Sequence, residues 1–229
     1  MATDGVSLLA KLPFFEKLQP EELQELYSRL KRRTYRPNET IYHKDDAGST
    51  MYIIVEGTVK VSVPSEVGTE MILTMLTTGD FFGELSLFDG KPRSASVTSA
   101  GITEVFVLYR DDFLEFIHKH PSIAIHVIST LCHRLRRTDN LVEDVVFLDI
   151  PARLAKKLLE LSQTHGKKLP NNAVEIELRL TQQDIASMLG TTRESVNRQL
   201  VAFQERGFIS IDRQRITLLK PAELEKRIY

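Results

Sequence analysis

Glycines at 48, 57, 68, 79, 90 and 101 fall between, or at the ends of, short runs rich in β-forming residues, at 51–55, 58–63, 70–76, 95–97 and 104–108. From Asp111 to Val146 there is then no glycine at all. Strands this frequent, with turn residues at such intervals, argue that residues 34 to 109 form an antiparallel barrel or jelly-roll-like sandwich with no βαβ unit. The glycine-free stretch, interrupted only by Pro121, reads as helix. Upstream, residues 16 to 33 place Leu23, Leu26 and Leu30 at helical spacing behind Pro20, as a lead-in helix.

The long helix carries a constraint of its own. Ile128, Leu131, Leu135, Val142 and Val145 follow spacings of three, four, seven and three, and Thr138 occupies the missing step, so a heptad seam runs through one polar residue. Such a stripe packs either on the chain's own barrel or on a partner helix. It outlasts what one small barrel covers, and Arg134, Arg136 and Arg137 flank it as charged residues, so a parallel homodimer is expected. Thr138 is either a register device or, with Asp139, a hydroxyl and carboxylate offered to a ligand at the barrel–helix junction, where the carboxylate suits an exocyclic amine.

Leu148-Asp149-Ile150-Pro151 breaks that helix, with Asp149 placed to cap the next one and Pro151 tolerated in its first turn. Residues 152–164 make a second amphipathic helix (Leu154, Leu158, Leu161) closed by Gly166, and a loop to Ala173 leads into an alternating run at 174–178. Thr181 to Gly190 and Thr191 to Gly207 then read as two capped helices with glycine stops, a helix-turn-helix. On the second, Val196, Leu200 and Phe203 share one face; Glu194, Arg198, Val201 and Glu205 lie opposite, flanked by Arg193 and Asn197. Arginine there suits guanine O6/N7, and glutamate accepts from cytosine N4. The plainer alternative is that Glu194 completes a capping box with Thr191 and the arginines are solvated. Residues 208–219 form a hairpin with basic residues at its tip, a wing beside the helices. Charge supports a nucleic-acid partner: residues 1–149 carry 16 Lys and Arg against 22 Asp and Glu, or −6, whereas residues 150–229 carry 14 against 9, or +5.

Within the β-rich half, Phe82 to Val97 hold a candidate anion cradle. Gly83 lets backbone approach a ligand closely, a short helical turn after it aims free N–H groups outward, and Arg93 and Ser94 add a charged fork and a hydroxyl. Glu84 cannot bind phosphate and is free to accept from a sugar hydroxyl. The alternative is a polar turn between two strands.

Other classes are disfavoured. No apolar run approaches a membrane span, and the opening residues carry Asp4 where a secretory signal would be basic, so a cytoplasmic protein is expected. A single Cys132 makes no internal disulfide and excludes a four-cysteine iron–sulfur or zinc site. His43 is the only histidine in the barrel strands, which argues against a cupin-type metalloenzyme; neither a metal nor catalysis is expected.

In this order of parts the chain resembles, over essentially its full length, the Crp/Fnr regulators, most closely their cyclic AMP receptor branch. The resemblance rests on Glu70-Met-Ile-Leu73, Gly79-Asp-Phe-Phe-Gly-Glu-Leu85, Arg93-Ser-Ala95, Phe147-Leu-Asp149 and Arg193-Glu-Ser-Val-Asn-Arg198. It implies an α+β protein: a cyclic-nucleotide-binding β-roll with its N-terminal helix at 1–120, a dimerisation helix at 121–148 and a winged helix-turn-helix at 149–229. It implies that Gly83, Glu84, Leu85, Ser86, Arg93 and Ser94 surround the ribose and cyclic phosphate of cyclic AMP, that Val61 and Leu73 lie near the base, and that Thr138 contacts adenine across the dimer helix. Asp139 departs from the pattern, since enteric members carry serine there. Arg193, Glu194 and Arg198 match the family's base-reading positions, with Thr181, Gln183 and Asn197 beside them, which implies half-sites like TGTGA. By the same resemblance, cyclic AMP shifts the domains about Asp149 to Pro151, a homodimer binds a palindromic operator in double-stranded DNA, and RNA polymerase is a partner. The alternative is a family member with a different effector or none.

Overall fold

The computed structural model describes residues 5–10, 15, 18–65 and 69–228. Glu16 and Lys17 of the expected lead-in helix, and the Gly68 turn, lie outside the described residues. The chain falls into two compact units, residues 1–136 and 137–229, divided inside the long helix.

The first unit begins with helices α1 (Gly5–Leu9) and α2 (Pro20–Arg29). Strands β1 (Lys31–Tyr35), β2 (Thr40–Tyr42), β3 (Thr50–Glu56), β4 (Thr58–Pro64), β5 (Glu70–Thr77) and β6 (Phe81–Phe82) precede a short helix α3 (Glu84–Asp89). Strands β7 (Ser96–Ser99) and β8 (Thr103–Tyr109), helix α4 (Arg110–Lys119) and the first half of α5 (Ser122–Phe147) complete it. The strands form two antiparallel sheets, ordered β1-β8-β3-β6 and β2-β7-β4-β5. That is jelly-roll connectivity, as the glycine spacing suggested.

Strand periodicity explains why β3 is apolar over 51–55 and β8 over 105–108. Successive side chains point to opposite faces, and both faces of this sheet are covered. Met51, Ile53, Phe81, Phe106 and Leu108 join Leu23, Leu26, Phe113, Phe116, Ile123 and Val127 in a core beneath the helices. Tyr52, Ile54, Phe82, Val105 and Val107 instead face the roll interior with Val59, Leu76 and Val97.

Several sequence expectations change. The lead-in helix stops at Arg29, because Lys31 to Tyr35 pair with β8 as an edge strand. The helical stretch after Tyr109 is split at His120 and Pro121, where proline disfavours helical geometry in the residue before it. Leu131, expected in the seam, is half-buried and packs on the helical core. The exposed apolar stripe of α5 is Ile125, Ile128, Leu135, Val142 and Val146, with the exposed Cys132 and Asp139 completing its alternating three- and four-residue spacing. Asp139 thus stands on that stripe, beside Thr138.

The second unit contains α6 (Ile150–His165), β9 (Gly166–Lys168), β10 (Val174–Ile176), α7 (Gln182–Leu189), α8 (Arg193–Glu205), β11 (Ile209–Asp212), β12 (Arg215–Leu218) and α9 (Pro221–Glu225). Asp149 caps α6 as read, accepting from the Ala152 amide at 2.9 Å. Leu154, Leu158, Ile185, Leu189, Val196, Leu200, Phe203, Ile216 and Leu218 form its buried interior. The sheet order β11-β12-β10-β9 makes the wing a true hairpin, turning at Arg213, whose φ is +56°.

Candidate functional site

The first site is built around Arg93. Its backbone is clamped to the 43–46 turn: the Arg93 amide donates to the Asp46 carbonyl (2.8 Å), and the Asp45 amide donates to the Arg93 carbonyl (2.9 Å). The side chain is 4 % exposed. Nη1 donates to the Gly83 carbonyl at 2.7 Å and Nη2 to Thr50 Oγ1 at 2.9 Å, while Nε is buried with no hydrogen-bond partner. The guanidinium carbon lies 4.3 Å from the centre of the Tyr42 ring and 5.9 Å from that of Tyr52. Tyr52 is fixed in turn by stacking on Phe82 at 4.9 Å and by a hydrogen bond from Thr50 Oγ1 at 3.2 Å. Burial pushes the Tyr42 hydroxyl up, so the ring under the guanidinium remains a neutral phenol. No carboxylate pairs with Arg93 among the described residues. A buried cation costs several kcal/mol in lost hydration, which two neutral acceptors and an aromatic face offset without supplying a counter-charge. The corner therefore holds a cation whose charge no carboxylate balances among the described residues.

Two glycines make room for this arrangement. Gly83 links β6 to α3 at φ +81°, where a Cβ would lie 2.7 Å from Arg93 Nη1 and 3.0 Å from the Thr50 carbonyl. It is also the N-cap of α3 and has no side chain to cap it, leaving the first-turn amides to other acceptors. Gly48 was legible only as a turn residue, yet a Cβ there would lie 2.5 Å from Ser86 Cβ and 2.9 Å from Arg93 Nε.

Glu84 differs from expectation. It is buried, but one oxygen already accepts from Arg134 Nη1 at 2.7 Å. Arg134 also donates to the Phe81 carbonyl and covers the Phe81 ring at 4.7 Å, so it is not the solvated flank of α5 that its neighbours Arg136 and Arg137 are. A carboxylate at 3 % exposure requires such a partner. Gly83, Glu84, Ser86 and Arg93 are thus brought together. Val61 packs with Tyr42 on the roll interior, while Leu73, Leu85 and Ser94 are exposed. Thr138 and Asp139 belong to the second unit and are exposed on α5. Sequence reading missed Tyr42, Gly48, Thr50, Tyr52 and Arg134, which reach Arg93 or Glu84 from strands and a helix roughly forty or more residues away along the chain. No local spacing signals such contacts.

The second site is the helix pair α7–α8. Thr181 caps α7: its hydroxyl accepts from the Asp184 amide (3.0 Å) and donates to the Asp184 carboxylate (2.7 Å). The cap of α8 is Thr192, accepting from the Ser195 amide at 3.2 Å, and not Thr191. The capping-box reading of Glu194 with Thr191 therefore falls away. Val196, Leu200 and Phe203 are buried, and Arg193, Glu194, Asn197, Arg198 and Val201 form the exposed face. Gln183 is exposed near the start of α7, and Gln182 Nε2 donates to Asn197 Oδ1 at 2.7 Å.

Comparison with known proteins matches the two parts of the chain that carry these residues. Residues 32–120 match the cyclic nucleotide-binding domain and residues 152–227 the Crp-like helix-turn-helix domain. The chain is 33 % identical over 220 residues to a CRP-like cAMP-activated global transcriptional regulator of Mycobacterium tuberculosis, covering 96 % of this chain and 98 % of the relative. It is 31 % identical over 214 residues to the cyclic AMP receptor protein of Thermus thermophilus, covering 93 % and 95 %. The fold is shared with the c-di-GMP responsive regulator CLP of Xanthomonas campestris, with a TM-score of 0.76 at 21 % identity over 87 % of this chain and 99 % of that one. Among the described residues no helix is long and apolar enough to cross a membrane. The two matched domains and 33 % identity over 96 % of the chain lead to one assignment: the chain belongs to the Crp/Fnr family, as a DNA-binding transcription regulator with a cyclic nucleotide-binding domain, and is not an enzyme.

Proposed function

We propose that this regulator responds to cyclic AMP and binds palindromic operators as a homodimer. The carrying observation is Arg93, a buried guanidinium with no ion pair among the described residues and an unsatisfied Nε, beside the uncapped start of α3. A cyclic phosphate supplies the missing charge and acceptors. The free oxygen of Glu84 accepts from the ribose, with Leu85, Ser86 and Ser94 lining the same ligand and Val61 and Leu73 nearer the base. By the family resemblance Thr138 meets the base, and Asp139, where this chain departs from that pattern, offers a carboxylate that favours adenine's amine over guanine's carbonyl oxygen. The M. tuberculosis and T. thermophilus relatives are named for cyclic AMP, which supports this choice.

For the dimer, the support is the stripe on α5, whose Ile125, Ile128, Leu135, Val142 and Val146 are 58 % or more exposed. A row of this kind on one helix is stabilised by a second copy. Arg193, Glu194 and Arg198 read bases, with Thr181, Gln183 and Asn197 as neighbouring contacts. Acting in the cytoplasm, the bound dimer recruits RNA polymerase.

Isothermal titration of the purified protein with cyclic AMP, cyclic GMP and cyclic di-GMP tests the ligand. Saturable binding of cyclic AMP in preference to the other two is the expected result. Preference for cyclic di-GMP, to which the Xanthomonas regulator responds, would replace the proposed effector; no binding of any would leave a regulator without one.

A further inference from the structure

Gln182 is the first residue of α7 and Asn197 lies on the second turn of α8, on the flank of the exposed face between Arg193 and Val201. The 2.7 Å hydrogen bond between their amides joins the two helices of the DNA-binding pair at their solvent side. Its polarity matters. An asparagine amide has one acceptor oxygen and one donor nitrogen, and the two-point contact with adenine uses both. Here Oδ1 accepts from Gln182 Nε2, which ties the oxygen to α7 and leaves Nδ2, a donor only, as the half of the amide that this bond does not engage.

We infer that Gln182 is a positioning residue that fixes the Asn197 amide with its donor toward DNA, so that Asn197 selects a base presenting an acceptor edge and not adenine by the two-point contact. The acceptor edges available in the major groove are guanine O6 and N7 and thymine O4. The inference rests on the DNA-reading function proposed above and adds a specificity determinant to it. Neither residue is buried, and Thr181 with Asp184 caps α7 independently of Gln182. Removing the amide pair therefore alters readout without altering the fold.

The test uses the full chain with cyclic AMP and a set of palindromic duplexes built on TGTGA half-sites and changed one base pair at a time. Asn197→Ala lowers affinity about three- to tenfold at one base pair, the size of a single hydrogen bond, and relaxes preference there. Gln182→Ala relaxes preference at the same base pair, and the double variant does no more than Asn197→Ala alone. Gln182→Glu is the sharper probe. A carboxylate cannot donate to Oδ1, so the Asn197 amide turns its Nδ2 inward and shows its oxygen, and preference at that position moves to a base with an outward amine, cytosine or adenine. Thermal midpoints stay at the parent value throughout. Unchanged base preference in Gln182→Ala and Gln182→Glu, alongside an altered one in Asn197→Ala, overturns the inference. A uniform loss over all duplexes in Asn197→Ala overturns it too, making Asn197 a phosphate contact. If the parent prefers none of the duplexes, the DNA-reading function itself fails and the inference falls with it.

Discussion

Replacing Arg93 by methionine separates the two tasks of its cradle, because methionine keeps much of the aliphatic stem and deletes the charge. In the ligand-free protein the guanidinium has lost its hydration at a cost of several kcal/mol, and receives two charge-assisted hydrogen bonds of about 1.5–3 kcal/mol each and the Tyr42 ring in return. Those terms nearly cancel, so Arg93→Met changes ligand-free stability by no more than about 1 kcal/mol. The nucleotide-bound state is different. An anion about 4 Å from the guanidinium, at an effective dielectric near 20, gains about 4 kcal/mol, reduced by the desolvation of the anion itself. The net loss on substitution is about 2–4 kcal/mol, or roughly 30- to 700-fold in Kd. Calorimetric titration with cyclic AMP measures the affinity, and thermal unfolding without ligand measures the stability. Parental affinity in the variant would show that Arg93 does not hold the anion. A ligand-free protein destabilised by several kcal/mol would make it a structural cation whose charge is already balanced.

Three further perturbations reach other parts of the molecule. Gly48→Ala puts a Cβ 2.5 Å from Ser86 Cβ and 2.9 Å from Arg93 Nε, so it should cost about 1–3 kcal/mol in a thermal melt and weaken nucleotide binding together; an unchanged melt would show that the corner has slack. Leu135→Glu places like charges on the α5 stripe and removes about 2 kcal/mol of apolar burial per copy, so sedimentation should show a shift from dimer to monomer; an unaltered dimer would move the interface elsewhere. The Glu115 carboxylate is held down to about 2, from an ordinary 4.5, by Arg29 and then Lys119. A depressed carboxylate contributes stability above pH 4.5 that is lost as pH falls toward about 2, so Glu115→Gln should flatten the melting curve against pH in that window, and salt should erase the difference because the group is exposed. An equally steep acid limb in the variant would contradict the pairing.

Much of the fold was legible because it is written in local periodicity. The apolar runs of β3, β4, β5 and β8, the glycine stops at Gly190 and Gly207, and the Asp149 cap each carry a short-range signal. Strands β1 and β6 do not. Lys-Arg-Arg-Thr-Tyr has four exposed positions and is a strand only because β8 lies beside it, and Phe81–Phe82 is too short for any alternation. On α5, heptad arithmetic admitted two neighbouring stripes. Leu131 is half-buried against the core cluster that includes Ile123 and Val127 while Cys132 is exposed, a difference spacing does not encode. In the cradle, Arg93 and Gly83 announced themselves by chemistry and conformation. Thr50, Tyr42 and Gly48 beside Arg93, and Arg134 on Glu84, are ordinary residues brought there by tertiary approach.

The proposed regulation requires a coupling of nucleotide in the roll to DNA on the winged helix pair. It is tested most directly by measuring operator affinity without and with saturating cyclic AMP, and cyclic AMP affinity without and with operator. Linkage requires the two ratios to be equal, and a coupling of about 1–3 kcal/mol makes each about 5- to 150-fold. Equal ratios in that range are the predicted result. Operator affinity that is identical with and without nucleotide would contradict the account, leaving a DNA-binding dimer that is competent on its own.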